Sequence, residues 1–184
     1  MTHLPKNLLV GEKVRLDGLR LDDLPAILRW QRDVVFMRLF DAQPAYPKTE
    51  QGLREWFEEQ NKSNEAFLFG IRLIETDALI GYIELDGILW PHRVGWLSIG
   101  IGEPEYWGQG YGHEAMQLTL AYAFQELNLH RVQLTVFSYN PRAIAMYEKL
   151  GFRREGTFRE FMERDGQRHD MHLYGLLRPE WQGE

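Results

Sequence analysis

The sequence predicts an α/β domain of the α+β kind, a mixed and mostly antiparallel central sheet of about seven strands with about four helices. Three observations carry that expectation. The chain has 184 residues, 44% apolar and 26% charged, with no Gly/Ser linker, charge block or internal repeat to divide it, which suits a single domain with a real core. Apolar runs of strand length recur between turn residues. One long amphipathic stretch, Gly110 to Leu127, stands between strands, as in a βαβ-like crossover set in a mixed sheet.

Taken in order, residues 13 to 19 (KVRLDGL) alternate Val14 and Leu16 and break at Gly18, as a short first strand does. Asp22 or Asp23 can cap a helix through Leu24, Ile27, Leu28 and Trp30, with Pro25 tolerated in its first turn. A second helix is expected from Thr49, after Pro44 and Pro47, with Leu53, Trp56 and Phe57 on one face. Residues 67 to 74 and 79 to 85 read as an antiparallel hairpin across Glu75–Thr76–Asp77, and Val94 to Ile101 as the next strand. In the long helix Met116, Leu120, Ala123, Phe124 and Leu127 share a face. A strand from Val132 to Phe137, a short helix from Pro141 to Leu150 closed by Gly151, and a hairpin turning at Asp165–Gly166 complete the order.

With 27 Asp+Glu against 21 Lys+Arg the net charge is −6. That balance offers no basic footprint for nucleic acid. The absence of cysteine excludes a disulfide framework, thiolate metal sites and a cysteine nucleophile. No run has signal-peptide or membrane-span length, so a cytoplasmic protein without a membrane partner is expected. His169 and His172 with Asp170 do not read as a metal site, because strand positions i and i+3 point to opposite faces. Asn61–Lys62–Ser63 matches a glycosylation sequon that has no expected use here.

The most informative segment is Ile101 to Ala115, IGEPEYWGQGYGHEA, where a strand enters a loop with Gly108, Gly110 and Gly112 and then directly an amphipathic helix. Glycines let a ligand approach the backbone, and a helix start offers unpaired N–H groups at the positive end of the dipole. Such a loop is an anion site, most naturally for phosphate, or else a plain flexible connection. The spacing G-x-G-x-G fits neither the dinucleotide fingerprint nor a P-loop, which needs Lys-Ser/Thr where His113–Glu114 follow. The second segment is Asn140 to Phe152, NPRAIAMYEKLGF. By itself it reads as a capped helix, with Asn140 as cap and Tyr147 packing on the face of Ala143 and Leu150.

Together with the strands around them, the two segments resemble the GNAT superfamily of acyl-CoA N-acyltransferases, closest to its branch similar to ribosomal-protein N-terminal and polyamine acetyltransferases. The resemblance covers the chain as one N-acetyltransferase domain, 1–184, with its core at about 9–181. Gly110 and Gly112 match the glycines of the family loop, usually written Arg/Gln-x-x-Gly-x-Gly/Ala, whereas Trp107 stands where Arg or Gln is usual.

The resemblance implies acetyl-CoA as cosubstrate, with no metal, and an amine-bearing acceptor. Ile99, Gly100 and Ile101 would bond the pantetheine amides through their backbone. The loop from Gly108 through Gln109, Gly110, Tyr111, Gly112 and His113 would hold the pyrophosphate. Asn140 would contact the pantetheine arm, and Tyr147 would protonate the departing thiolate. An attacking alkylammonium must first lose a proton, and Glu84 is the first candidate base, with Glu103 and His92 behind it. The acceptor pocket is expected from the first two helices, Trp30 to Phe57, and the last hairpin. A homodimer is a family-level expectation. The rival reading is an acyl-CoA-binding regulatory domain without turnover.

Overall fold

Val14 and Leu16 turn inward and Arg15 and Asp17 outward along β1 (Val14–Gly18), and six more strands follow it. These are β2 (Phe67–Leu73), β3 (Leu79–Leu89), β4 (Val94–Ile101), β5 (Arg131–Phe137), β6 (Arg153–Arg164) and β7 (Gln167–Leu177). The computed structural model describes residues 7–60, 62 and 66–183, so Asn61 and Ser63 of the sequon lie outside the described residues. One seven-stranded sheet has the order β1-β2-β3-β4-β5-β7-β6. All neighbours are antiparallel except β4 and β5. That parallel pair needs a crossover, and α4 (Tyr111–Ala121) with a following π-helical turn, Tyr122–Glu126, supplies it.

Each face of the sheet carries its own core, and β3 shows the division. Ile83 and Leu85 pack with Met116 and Leu120 of α4 and Tyr147 of α5 (Pro141–Lys149). Tyr82 points the other way, into a cluster with Trp30, Phe36, Leu53 and Phe57. That second cluster comes from α1 (Leu24–Arg32), α2 (Val34–Phe40) and α3 (Glu50–Gln60). Asp23, at the start of α1, is tied to β2 by a buried ion pair with Arg72 at 2.6 Å.

The described residues form five α-helices where the sequence suggested about four, and the addition is α2. Its Val34–Val35 start disguises it, since β-branched residues are poor helix formers. Asp33 settles the matter: its Oδ1 accepts from the N–H of Val35 at 2.7 Å and of Phe36 at 3.2 Å, a cap that ends one helix and opens the next. β3 also runs to Leu89 rather than 85, continuing through Gly87 at φ +53 where its register with β4 shifts.

Candidate active site

β4 and β5 pair only at Val94↔Arg131, Gly95↔Val132 and Trp96↔Gln133. Beyond Trp96 the two strands part, although β4 runs on to Ile101 and β5 to Phe137. Gly102 donates its N–H to the Ile80 carbonyl at 2.9 Å. By strand alternation Gly100 and Ser98 also turn their backbone groups to β3, and Leu97, Ile99 and Ile101 face the gap. The Ile101 carbonyl accepts from the Trp107 indole at 2.7 Å, which fixes the end of β4. A cleft of about 830 Å³ opens through this gap and reaches both faces of the sheet. Gly100 lines it too, but its contribution is space: a Cβ there would stand 2.7 Å from Phe36 of α2.

The glycine loop closes one end of the cleft. Gly108 and Gly110 have φ +73 and +89, a region costly for residues with a Cβ. Gly110 caps α4, and the first helical bond runs from the Glu114 N–H to the Gly110 carbonyl. The N–H groups of Tyr111, Gly112 and His113 therefore precede the helical ladder. Gly112 has ordinary φ, and a Cβ on it would stand 3.6 Å from both Ile101 and Met146, inside the gap. Gly108, Gly110, Gly112 and His113 line the cleft. Gln109 and Tyr111 are turned to its outer side, where Lys13 Nζ donates to the Gln109 carbonyl at 3.2 Å. Glu114 braces the same turn, accepting from the N–H groups of Glu12, Lys13 and Val14 at 2.8, 2.9 and 2.8 Å.

Asn140 and Tyr147 line the cleft from α5. Asn140 caps that helix, its Oδ1 accepting from the Ala143 N–H at 3.2 Å. Tyr147 is 7% exposed, with Phe152 edge-on to its ring. Burial alone pushes its hydroxyl up to about 12. His113 is held below its usual range, by burial first and by Lys149 second.

The three candidate bases part company. Glu84 lies opposite Ser98 of β4, on the same face as Tyr82 and Asp86, and burial followed by the Asp86 charge pushes its carboxyl up to about 7. Asp86, one pleat nearer the opening, lines the cleft, and burial raises its pKa as well. Glu103 is engaged by the Trp30 indole at 2.9 Å and by Arg29. His92 is exposed in the β3–β4 turn. None of the three lines the cleft.

On the face opposite α4 and α5 the wall is α2 with the residue after it, through Phe36, Leu39, Phe40 and Asp41, joined by Phe161 and Met171 from the last hairpin. Trp30 and Phe57 of the expected pocket are core instead. The wall is fastened to the hairpin, where Arg38 grips Asp165 at 2.8 and 3.0 Å and Arg164 Nη2 donates to the carbonyls of Asp41, Ala42 and Gln43 at 3.5, 3.2 and 3.2 Å, and to the turn between β5 and α5, where the Tyr139 hydroxyl donates to the Arg38 carbonyl. His172 meets Thr157 at 3.0 Å and Asp170 accepts from the Glu160 N–H, so these two groups serve the hairpin. Sequence reasoning also passed over Arg142 and Lys149, which line the cleft from α5. Their signal was present: Arg142, Ala145, Met146 and Lys149 fall at i, i+3, i+4 and i+7.

Comparison with known proteins agrees with this geometry. The acetyltransferase (GNAT) domain family matches residues 13–153. An uncharacterized N-acetyltransferase of Bacillus subtilis, YnaD, is 34% identical over 127 residues, 68% of this chain and 72% of that protein. The ribosomal protein uS5-alanine N-acetyltransferase of Escherichia coli is 26% identical, over 77% of this chain and 73% of its own. The crystal structure of spermidine N-acetyltransferase from Vibrio cholerae in complex with CoA and spermine superposes with a TM-score of 0.83 at 28% identity, covering 91% of this chain and 97% of that one. With the glycine loop, the divided sheet and the matched domain in agreement, the chain belongs to the GNAT acetyltransferase family.

Proposed function

We propose that the protein transfers the acetyl group of acetyl-CoA to a primary amine by direct attack, with Tyr147 as proton donor to the leaving thiolate and Glu84 as general base. One observation carries this reading: the glycine loop, the unpaired stretch of β4 and Tyr147 all open onto the same cleft. The spermidine and ribosomal-protein acetyltransferases among the relatives act on amines. Under the same reading the chain is one domain with its core at about 9–181, cytoplasmic and homodimeric.

In this reading Ile99 offers its gap-side backbone groups to the pantetheine amides, and the loop from Gly108 to His113 takes the pyrophosphate on its N–H groups. Gln109 and Tyr111 contribute backbone only. An alkylammonium with a reference pKa of about 10.4 costs roughly 4.6 kcal/mol to deprotonate at pH 7. A carboxylate that titrates at about 7 is suited to take that proton. The raised pKa of Tyr147 makes full transfer to a thiolate uphill, since a thiol's reference is about 8.5. The same dry surroundings raise the thiol too and narrow the gap, so the hydroxyl first donates a hydrogen bond and yields its proton as the C–S bond breaks.

The test is CoA-thiol release by the purified protein over a panel of peptide N-termini, polyamines and other small amines. Amine-dependent release is expected, rising with pH through about 7 because the base must lose its proton to act. Tight CoA binding with no release on any amine would replace this reading with an acyl-CoA-binding regulatory domain.

A further inference from the structure

The loop that offers its amides to phosphate carries no cation of its own. Between Ile101 and His113 the sequence has Glu103 and Glu105 but no Lys or Arg, in a chain of net charge −6. Backbone dipoles stabilise an anion, but the several phosphate charges of a CoA molecule brought to an acidic chain call for a side chain of opposite sign.

The cleft supplies one from another element. Arg142, in the first turn of α5, lies with its guanidinium carbon 4.2 Å from the centre of the Trp107 ring, and both residues line the cleft beside Gly108. Trp107 is itself fixed through its indole bond to the Ile101 carbonyl. The arginine is thus placed by a rigid aromatic surface rather than by an acid. Many arginines of this chain are spoken for: Arg38 holds Asp165, Arg72 holds Asp23 and Arg131 holds Glu155. Arg142 has no carboxylate at ion-pair distance among the described residues, and partial burial lowers its pKa. Two turns along the same helix face, Lys149 lines the cleft near His113. Between these two cations Met146 faces Gly112 of the loop.

We propose that Arg142, stacked on Trp107, is a phosphate ligand for the CoA portion of the donor, so that α5 supplies the charge and the glycine loop supplies the amides. The inference rests on the cosubstrate reading above. It adds that recognition of the phosphates is divided between two elements distant in sequence. Arginine suits the task because its flat face stacks while its edge remains free to bond two phosphate oxygens.

The experiment is calorimetric titration of the purified protein with CoA and, separately, with 3′-dephospho-CoA, so that no acceptor need be known. Arg142→Met keeps the stem and removes the charge. It should weaken CoA binding about tenfold and flatten its dependence on salt. Equal loss with both ligands assigns the contact to the diphosphate. A loss seen with CoA alone assigns it to the 3′-phosphate. Arg142→Lys, which restores charge without the flat stack, should recover part of the affinity. Arg142 is exposed, so an unchanged thermal melt is expected for both variants. Affinity within twofold of the unaltered protein for both ligands in Arg142→Met overturns the proposal. Failure of the unaltered protein to bind CoA at all would be a different result, overturning the cosubstrate reading and this inference with it.

Discussion

On the α4–α5 side the cleft is made largely of backbone and absent side chains: two left-handed glycines, the N–H groups at the start of α4 and the Gly112 opening. On the α2 side it is made of side chains held by other side chains, with Arg38 on Asp165 and Arg164 on three carbonyls more than a hundred residues away in sequence. The first side tolerates little variation because its geometry is local and steric. The second can be re-cut by changing one distant partner. A shared cosubstrate with variable acceptors is the division of labour such a molecule allows.

The largest expected effect tests whether chemistry belongs to the first side. Tyr147→Phe keeps the ring against Phe152 and removes only the hydroxyl. Under single-turnover conditions the rate should fall by about 10²- to 10⁴-fold with acetyl-CoA affinity nearly unchanged. A full rate at every pH would leave Tyr147 as a packing residue.

Next in size is the glycine loop. Gly110→Val forces a β-branched residue to φ +89, and acetyl-CoA affinity measured by calorimetry should fall at least about tenfold. Gly112→Ala differs in kind. Its φ is unexceptional and a Cβ meets only ordinary contacts at 3.6 Å. The melting temperature should hold while affinity drops severalfold, because the methyl occupies the gap. If both variants bind like the original, the loop does not cradle phosphate.

The smallest effect sharpens the contrast. Asp165 is 72% exposed, and an exposed ion pair contributes only about 0–1 kcal/mol. Asp165→Asn should therefore leave the melting temperature almost unchanged and the KM for acetyl-CoA unaltered, yet raise the KM for the amine about two- to fivefold. An equal rise for both substrates would show that the two walls are not independent.

Legibility in the sequence followed the same line. The loop, the Asn140 cap and the turn at Asp165–Gly166 were readable because each depends on residues within a few positions of one another. The start of α2 was not, since Val34 and Val35 are poor helix formers and only the fold shows Asp33 accepting from the N–H groups of Val35 and Phe36. The α2 wall was hidden for a stronger reason. Nothing near Asp41 indicates that Arg164 will hold its carbonyl, and nothing near Trp107 indicates that Arg142 will lie on its ring. Glu84 was chosen by strand neighbourhood alone. Its elevated pKa comes from burial and from Asp86, which only the folded pleat supplies.

The parting of β4 and β5 gives this sheet a third edge, inside the molecule. Of its two outer edges, β1 is covered by the residues before it, Leu9 and Gly11, which bond Leu16 and Val14 through the backbone, and β6 carries mostly exposed residues. The inner one is walled by helices on both faces, so no folded strand can reach it. A slender chain with amide groups spaced along an extended backbone can. Under the cosubstrate reading a pantetheine arm would be a borrowed strand at that edge, inserted for one turnover and then withdrawn.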